Sequence, residues 1–547
     1  QTMLARRLRR STWVSLLLIA VMVLSACSFG GGGTDTKSSQ VLNLAEIQEP
    51  PKLDSAKSTD VVSFMILGNV MEGLYRLDKD SKPVLGMAAK EPEVSADKLT
   101  WTFTIRDAKW SDGKPVTAHD FEFAWKRALN PETASEYAYI LYPIKGAEAY
   151  NTGKGSADDV GVKALDDKTL QVVLERPIPY FKDLLCFATY LPQRQDIVEK
   201  YGDKYSLEVN TMVYNGPFIF TEWKHNQSFQ VKKNPNYWEK DVVKLEEVNW
   251  QIVKDNTTLV NLYNTGKLDF TKLTSEFIDA FKDDPNTFVI QDGSSWYLEM
   301  NQTKDFFKNQ KIRQAIMFAI DRDTFVKGIL KNGSIPAGGL VPPFIKASGV
   351  DEDKKYRDLV KLEPEFNPDK AKQLLQEGLK ELGMSKAPVL ELLGDDTSGA
   401  KASLQFIKEQ LRVNLGLEVQ ITSVPFKERL ERGKTQRFDL LISGWGPDYN
   451  DPMTFLDLFT TDNAFNRGKY SNSEYDELIK KSKENGDFKE RFQDLKKAEE
   501  ILIGDAGIVP LYYRTEMAVK KPFIKDWYWS AIGPEYTLKW TYVETGK

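Results

Sequence analysis

The chain has 547 residues, 41% of them hydrophobic and 28% charged, and a net charge of −5. Its length suits two or three structural units with sizeable cores, and its mildly acidic balance excludes a nucleic-acid partner bound through phosphate neutralisation. Aromatic residues, at 12%, are abundant; they pack cores and also line sites that grip varied ligands.

The chain opens with a basic cluster, Arg6, Arg7, Arg9 and Arg10, followed by an apolar run from Trp13 to Ala26. That run is shorter than the ~20 residues a membrane-spanning helix needs, so it reads as a secretory signal. It ends in Leu24-Ser25-Ala26-Cys27, which resembles a bacterial lipobox; that resemblance implies cleavage before Cys27 and lipidation of its thiol. Residues 27–40, with four consecutive glycines at 30–33, read as a flexible tether. The second cysteine, Cys186, has no partner for a structural disulfide and reads as a buried free thiol.

Val41-Leu-Asn-Leu44 and Leu99-Thr-Trp-Thr-Phe-Thr-Ile105 alternate as half-buried strands do. Thr117-Ala-His-Asp120 predicts a helix start, Phe121, Ala124, Trp125 and Ala128 share one helical face, and Asn130-Pro131 stops the helix. Lys168–Leu174 predicts a strand, and Arg176-Pro-Ile-Pro-Tyr180 an extended turn. Strands alternate with short helices over 210–300. Amphipathic helices are predicted at Lys311–Ile320, Asp369–Leu382 and Ser403–Val413, with a strand at Leu417–Ile421. This alternation argues for an α/β unit over about 300–515. Phe438–Ile442 predicts a buried strand, Met453–Phe459 a helix, and Ile508–Tyr513 a return to strand.

Motifs for catalysis are absent. Two histidines, His119 and His225, have no nucleophile motif nearby, and no H-E-x-x-H, G-x-S-x-G, paired C-x-x-C or Walker A pattern occurs. A binding protein without cofactor or metal is expected.

The run Lys109-Trp-Ser-Asp-Gly-Lys-Pro-Val-Thr-Ala-His-Asp-Phe-Glu-Phe-Ala-Trp-Lys-Arg-Ala-Leu-Asn-Pro131 resembles the signature of extracellular solute-binding proteins of the oligopeptide/dipeptide class. Further pieces match in order: Leu53-Asp54, Glu72-Gly-Leu74, Pro179-Tyr-Phe181, Asn215-Gly-Pro217, Asn234-Pro-Asn-Tyr-Trp238, Asp321-Arg-Asp323 and Ser443-Gly-Trp-Gly-Pro-Asp-Tyr-Asn-Asp-Pro452. The resemblance implies the lipid-anchored, monomeric receptor of an ABC importer, acting with permease subunits and their cytoplasmic ATPases. It implies an α/β, class II bilobal solute-binding fold with mixed sheets, an inserted lobe and a hinge-closed cleft. Lobe I would comprise 41–74, 196–300 and 516–547, lobe II 75–195, and lobe III 301–515.

A receptor for many peptides must read what peptides share, the extended backbone and the charged ends. The resemblance assigns the α-ammonium to Asp448 and a side-chain wall to Trp445. It exposes backbone at Gly444 and Gly446 on one side and at Val61, Val62 and Ser63 on the other, with Tyr512 and Tyr513 contributing aromatics. Asp451, directly before Pro452, is the better helix cap, which leaves Asp448 free of a structural task. The chain departs from the pattern at the peptide's C-terminal end. Ile442 stands where some members carry arginine and Ala400 near where others carry histidine, leaving Arg429, Arg432, Lys434 and Arg437 as candidates. A receptor of the same fold for an oligosaccharide or a nickel chelate, or a peptide-pheromone sensor, is the alternative.

Overall fold

The computed structural model describes residues 39–178, 180–347 and 350–546. The signal, Cys27 and nearly all of the tether therefore lie outside the described residues.

Val41–Glu46 pairs in parallel with Glu247–Ile252, which continues antiparallel to Ser228–Lys233 and then Phe218–Lys224. Alternation sends Leu42, Leu44, Val248, Trp250, Phe229 and Val231 into the core. A second four-stranded sheet orders Glu93–Val94, Thr100–Thr104, Thr169–Val173 and Val162–Asp166. The helix Ala118–Leu129 packs on it, capped at Thr117 with the Asp120 carboxylate closing a capping box, and buries Phe121, Ala124, Trp125 and Ala128.

The third sheet, of seven strands, is the largest. Its main order is Phe270–Leu273, Val509–Lys520, Thr287–Met300, Leu440–Trp445, Leu390–Asp395 and Val419–Val424. The two long strands Thr287–Met300 and Val509–Lys520 pair along most of their length, with register shifts between Gln291 and Ser295 and between Trp296 and Tyr297, so one sheet holds residues on both sides of positions 300 and 515. Its parallel strands need crossovers, supplied by the helices Ser398–Leu415 and Phe426–Lys434. The first of these starts earlier than its apolar periodicity predicts, because the Thr397 hydroxyl accepts the Ala400 N–H; it ends at Gly416, whose φ of 64° suits glycine.

Most of the signature pieces turn out to be scaffold. The buried Glu72 carboxylate accepts from Arg76 Nε (2.5 Å), the Tyr237 hydroxyl (2.7 Å) and Trp238 Nε1 (2.6 Å). The Asn215 side chain brackets the Glu72 backbone at 2.9 Å on both its N–H and its carbonyl. Asp54 takes a bidentate bond from Arg127 at 2.8 Å. Three motifs distant in sequence thus meet in one satisfied buried polar hub, where loss of any member strands the others.

Candidate functional site

Ser443-Gly-Trp445 ends the strand Leu440–Trp445. One edge of that strand pairs with Ser295–Met300 over its whole length, while the other meets Leu390–Asp395 only at Leu440 and Leu441. Beyond Leu441 this second edge has no strand partner among the described residues, and it opens on a cavity of about 280 Å³. An unpaired edge facing a cleft can accept one more extended chain.

Asp448 lies just past that edge and lines the cavity. Its Oδ1 accepts a hydrogen bond from the Tyr137 hydroxyl at 3.3 Å, and among the described residues no cationic side chain is paired with it. Its own N–H donates to Thr454 Oγ1 (3.0 Å), which fixes the loop. Burial lifts the Asp448 carboxyl well above the usual carboxylate range, and the Tyr137 hydroxyl opposes that only in part. Asp451, three residues on, is the contrast. It is buried, takes bonds from Arg491 Nη1 (2.9 Å) and Nη2 (2.7 Å), and accepts the Met453 N–H (2.9 Å) at the start of the next helix.

Trp445 packs between Tyr137 (ring centroids 5.7 Å apart) and Phe465 (4.7 Å), and Tyr137 also meets Phe64 and Phe187. These aromatics wall the Asp448 end and exclude water from it. Gly446 has open space where a side chain would project, so its backbone is accessible from the cavity. Gly444 lacks a side chain for another reason: a Cβ there would meet the Trp296 ring at 2.5 Å.

Three expected contacts need correction. Val61, Val62 and Ser63 are not extended backbone but the first turn of the helix Val61–Val70, because the Asp60 carboxylate accepts the Ser63 N–H (2.9 Å) and hydroxyl (2.7 Å) as a cap. Val61 and Val62 still line the cavity, whereas Ser63 is buried behind it. Tyr512 and Tyr513 lie in the third sheet away from the cavity wall: Tyr512 stacks on Trp296 at 6.0 Å, and the Tyr513 hydroxyl donates to the Gly339 carbonyl and accepts its N–H, both at 3.0 Å. Of the four basic candidates for the peptide carboxylate, only Arg429 reaches the cavity, and its Nε is held by Asp395 at 2.7 Å. Arg432 pairs with Glu391, Lys434 with Glu136, and Arg437 Nε donates to Thr435. Ile442 is buried in its sheet.

Contacts beside the cavity join residues 136–180 to residues 434–467. Glu136 pairs with Arg467 (2.6 Å) and Lys434 (3.4 Å), and Tyr180 stacks on Tyr449 with centroids 4.7 Å apart. Tyr137, Phe465 and Trp296 escape sequence reading, since nothing in their local pattern separates them from core aromatics.

A cleft lined by an open strand edge and, just past it, a carboxylate with no cationic partner among the described residues is the geometry of a ligand-binding receptor. The chain belongs to the bacterial extracellular solute-binding proteins of family 5, whose middle-region model matches residues 82–467. It is 39% identical to the dipeptide-binding protein DppE of Bacillus subtilis over 507 residues, covering 92% of each chain. Among solved structures it resembles Listeria monocytogenes OppA bound to peptide (TM-score 0.90, 40% identity, 93% of this chain and 100% of that one). It also resembles the substrate-binding domain of an oligopeptide ABC transporter from Bacillus anthracis (TM-score 0.90, 42% identity, 94% and 100%).

Proposed function

We propose that this chain is an extracytoplasmic receptor that encloses short peptides in extended form and delivers them to a membrane ABC permease. The observation that carries the reading is Asp448, an ionisable side chain facing the cavity with no cationic partner, one step beyond an unpaired strand edge. A peptide supplies both missing partners: its backbone adds to the Ser443–Trp445 edge, and its α-ammonium meets Asp448. Trp445 walls the neighbouring side chain, Gly446 and Gly444 present main chain, and Val61 and Val62 cover the ligand from the opposite side. The lobe assembled from 41–74, 196–300 and 516–547 closes on the lobe 301–515 about the long strands. Catalysis has no part in this reading.

The peptide-binding relatives and the family description support an extracytoplasmic location. No helix among the described residues is long and apolar enough to cross a membrane. Attachment then falls to Cys27, lipidated after signal cleavage, with residues 27–40 as the leash of a monomeric body.

Calorimetry with di- to hexapeptides tests the reading. Wild type binds free peptides one to one, and an N-acetylated copy of the same sequence binds far more weakly. Asp448→Asn loses ~2–5 kcal/mol for the free peptide, the cost of breaking a desolvated charge pair. Equal binding of free and acetylated peptides removes Asp448 from the role, and recovery of a sugar or a metal chelate by native mass spectrometry removes peptides as ligands.

A further inference from the structure

Beside the Asp448 loop the cavity wall has a second charged region, built differently from the first. Ser295 lies opposite Trp445 in the ladder, and the Gly533 N–H donates to the Pro447 carbonyl at 2.9 Å. Segments 292–296 and 531–536 therefore adjoin the loop that carries Asp448. Here Asp292, Glu516 and Glu535 bring carboxylate oxygens within 4.8 Å of one another, and Glu46 lines the same cavity.

Two cations answer these four acids. Lys272 sits 2.8 Å from Glu516 and 3.2 Å from Glu535, and Arg514 pairs with Asp292. That leaves an excess of carboxylate facing the cavity. The cations elsewhere on the cavity wall do not relieve it, since Arg429 is held by Asp395 (2.7 Å) and Arg467 by Glu136 (2.6 Å). Burial first, and then Glu535, hold the Glu46 carboxyl up at about 8, so a proton occupies that carboxylate at neutral pH.

The walls are indoles. Trp527 and Trp529 lie 5.1 Å apart between ring centroids, with Phe270 4.8 Å from Trp527 and Tyr536 4.6 Å from Trp529. Trp527 lines the cavity yet is only 7% exposed, and its buried indole N–H has no partner among the described residues. Carboxylates on a surface are satisfied by water. Carboxylates in excess beside aromatic faces, out of water, match a cation carried on an apolar stem, which takes charge from the acids and dispersion and cation–π attraction from the rings. A bare divalent metal fits less well, because Lys272 and Arg514 already stand beside the carboxylates.

We infer that this pocket takes a cationic side chain, lysine- or arginine-like, from the first or second residue of the bound peptide, and so makes the receptor selective for peptides that are basic near their N-terminus. The inference rests on the peptide-binding reading above. It is tested by calorimetry on alanine tripeptides with free N-termini carrying lysine, norleucine or glutamate at position 1 or 2. At one of these positions lysine binds ~10-fold or more tighter than norleucine, a difference of ~1.4 kcal/mol, and glutamate binds most weakly. Glu535→Gln and Glu516→Gln bring the lysine-to-norleucine ratio towards one, and Glu535→Asp restores part of it. Reading a ratio on one variant cancels any general loss of fold or affinity. Equal binding of lysine and norleucine at both positions, or a ratio that survives both glutamine variants, overturns the pocket. If none of the tripeptides binds wild type, the peptide reading falls as well, whereas unselective binding overturns the pocket alone.

Discussion

Two neighbouring regions of the cavity wall handle buried charge in opposite ways. Around Asp448 one carboxylate stands against aromatic rings, with a single tyrosine hydroxyl for company. Around Trp527 four carboxylates and two cations form a network in which most charges already have a partner. A lone desolvated charge is costly until its partner arrives, so it responds to one feature common to all ligands. A partly compensated network has a smaller residual charge and responds to a variable feature, which suits discrimination rather than capture. Asp451 completes the contrast, since it lies in the same loop as Asp448 but is fully paired with Arg491.

The largest expected effect breaks the paired member of that contrast. Arg491→Met leaves Asp451 buried and uncompensated and lowers stability by ~3–5 kcal/mol, read by chemical denaturation. An unchanged midpoint means that Asp451 is solvated and the contrast false. Next comes Asp448→Asn, which acts on affinity with little loss of stability.

The same carboxylate sets a pH dependence. Only the ionised form holds an ammonium, and burial raises the pKa of Asp448 in the empty cavity. Affinity for a free peptide therefore falls as pH is lowered, and the slope disappears in Asp448→Asn. Titration calorimetry at several pH values checks this; a slope retained in the variant assigns it to another group.

Tyr137→Phe removes the one hydroxyl on Asp448 and costs about 1 kcal/mol of peptide affinity, the net worth of a typical hydrogen bond. Equal affinities for the two proteins would show that the ring, not the hydroxyl, is what matters.

The remaining effect falls on stability rather than affinity and concerns Glu46. Its carboxyl sits at about 8 in the folded chain against 4.5 ordinarily. The folded state thus holds a proton that the unfolded state releases, and Glu46 favours folding less as pH rises from 4.5 to 8. Above pH 8 Glu46→Gln has a higher thermal midpoint than wild type, and below pH 4.5 it has no charge-related effect. A shift of equal size at both extremes would mark packing rather than charge.

The loop from Ser443 to Pro452 was legible because its special residues are contiguous. Gly446, Asp448 and Asp451-Pro452 each answer a local question of backbone freedom, charge or capping. The helix Val61–Val70 is not legible in the sequence, since Asp60 is identified as its cap only by the side chain turning back on Ser63. Gly444 lines the cavity, but its need for glycine is set by the Trp296 ring, which strand register puts opposite it. Tyr512 and Tyr513 were drawn towards the cavity by resemblance, yet their places in the long strand face Trp296 and Gly339.

The sequence by itself determined the alternation of strands, the capping of the helix at Thr117, the amphipathic crossover helices and a loop able to offer a carboxylate beside bare backbone. These follow from neighbours along the chain, within reach of local hydrogen bonds and periodicity. Only the tertiary structure decided which charges have partners. Asp448 is alone, Asp451 is paired, and Glu46, Lys272, Asp292, Arg514, Glu516 and Glu535 converge from separate strands and loops. The worth of a charge depends on burial and on the nearest opposite charge, and both are set by contacts between residues far apart in the chain.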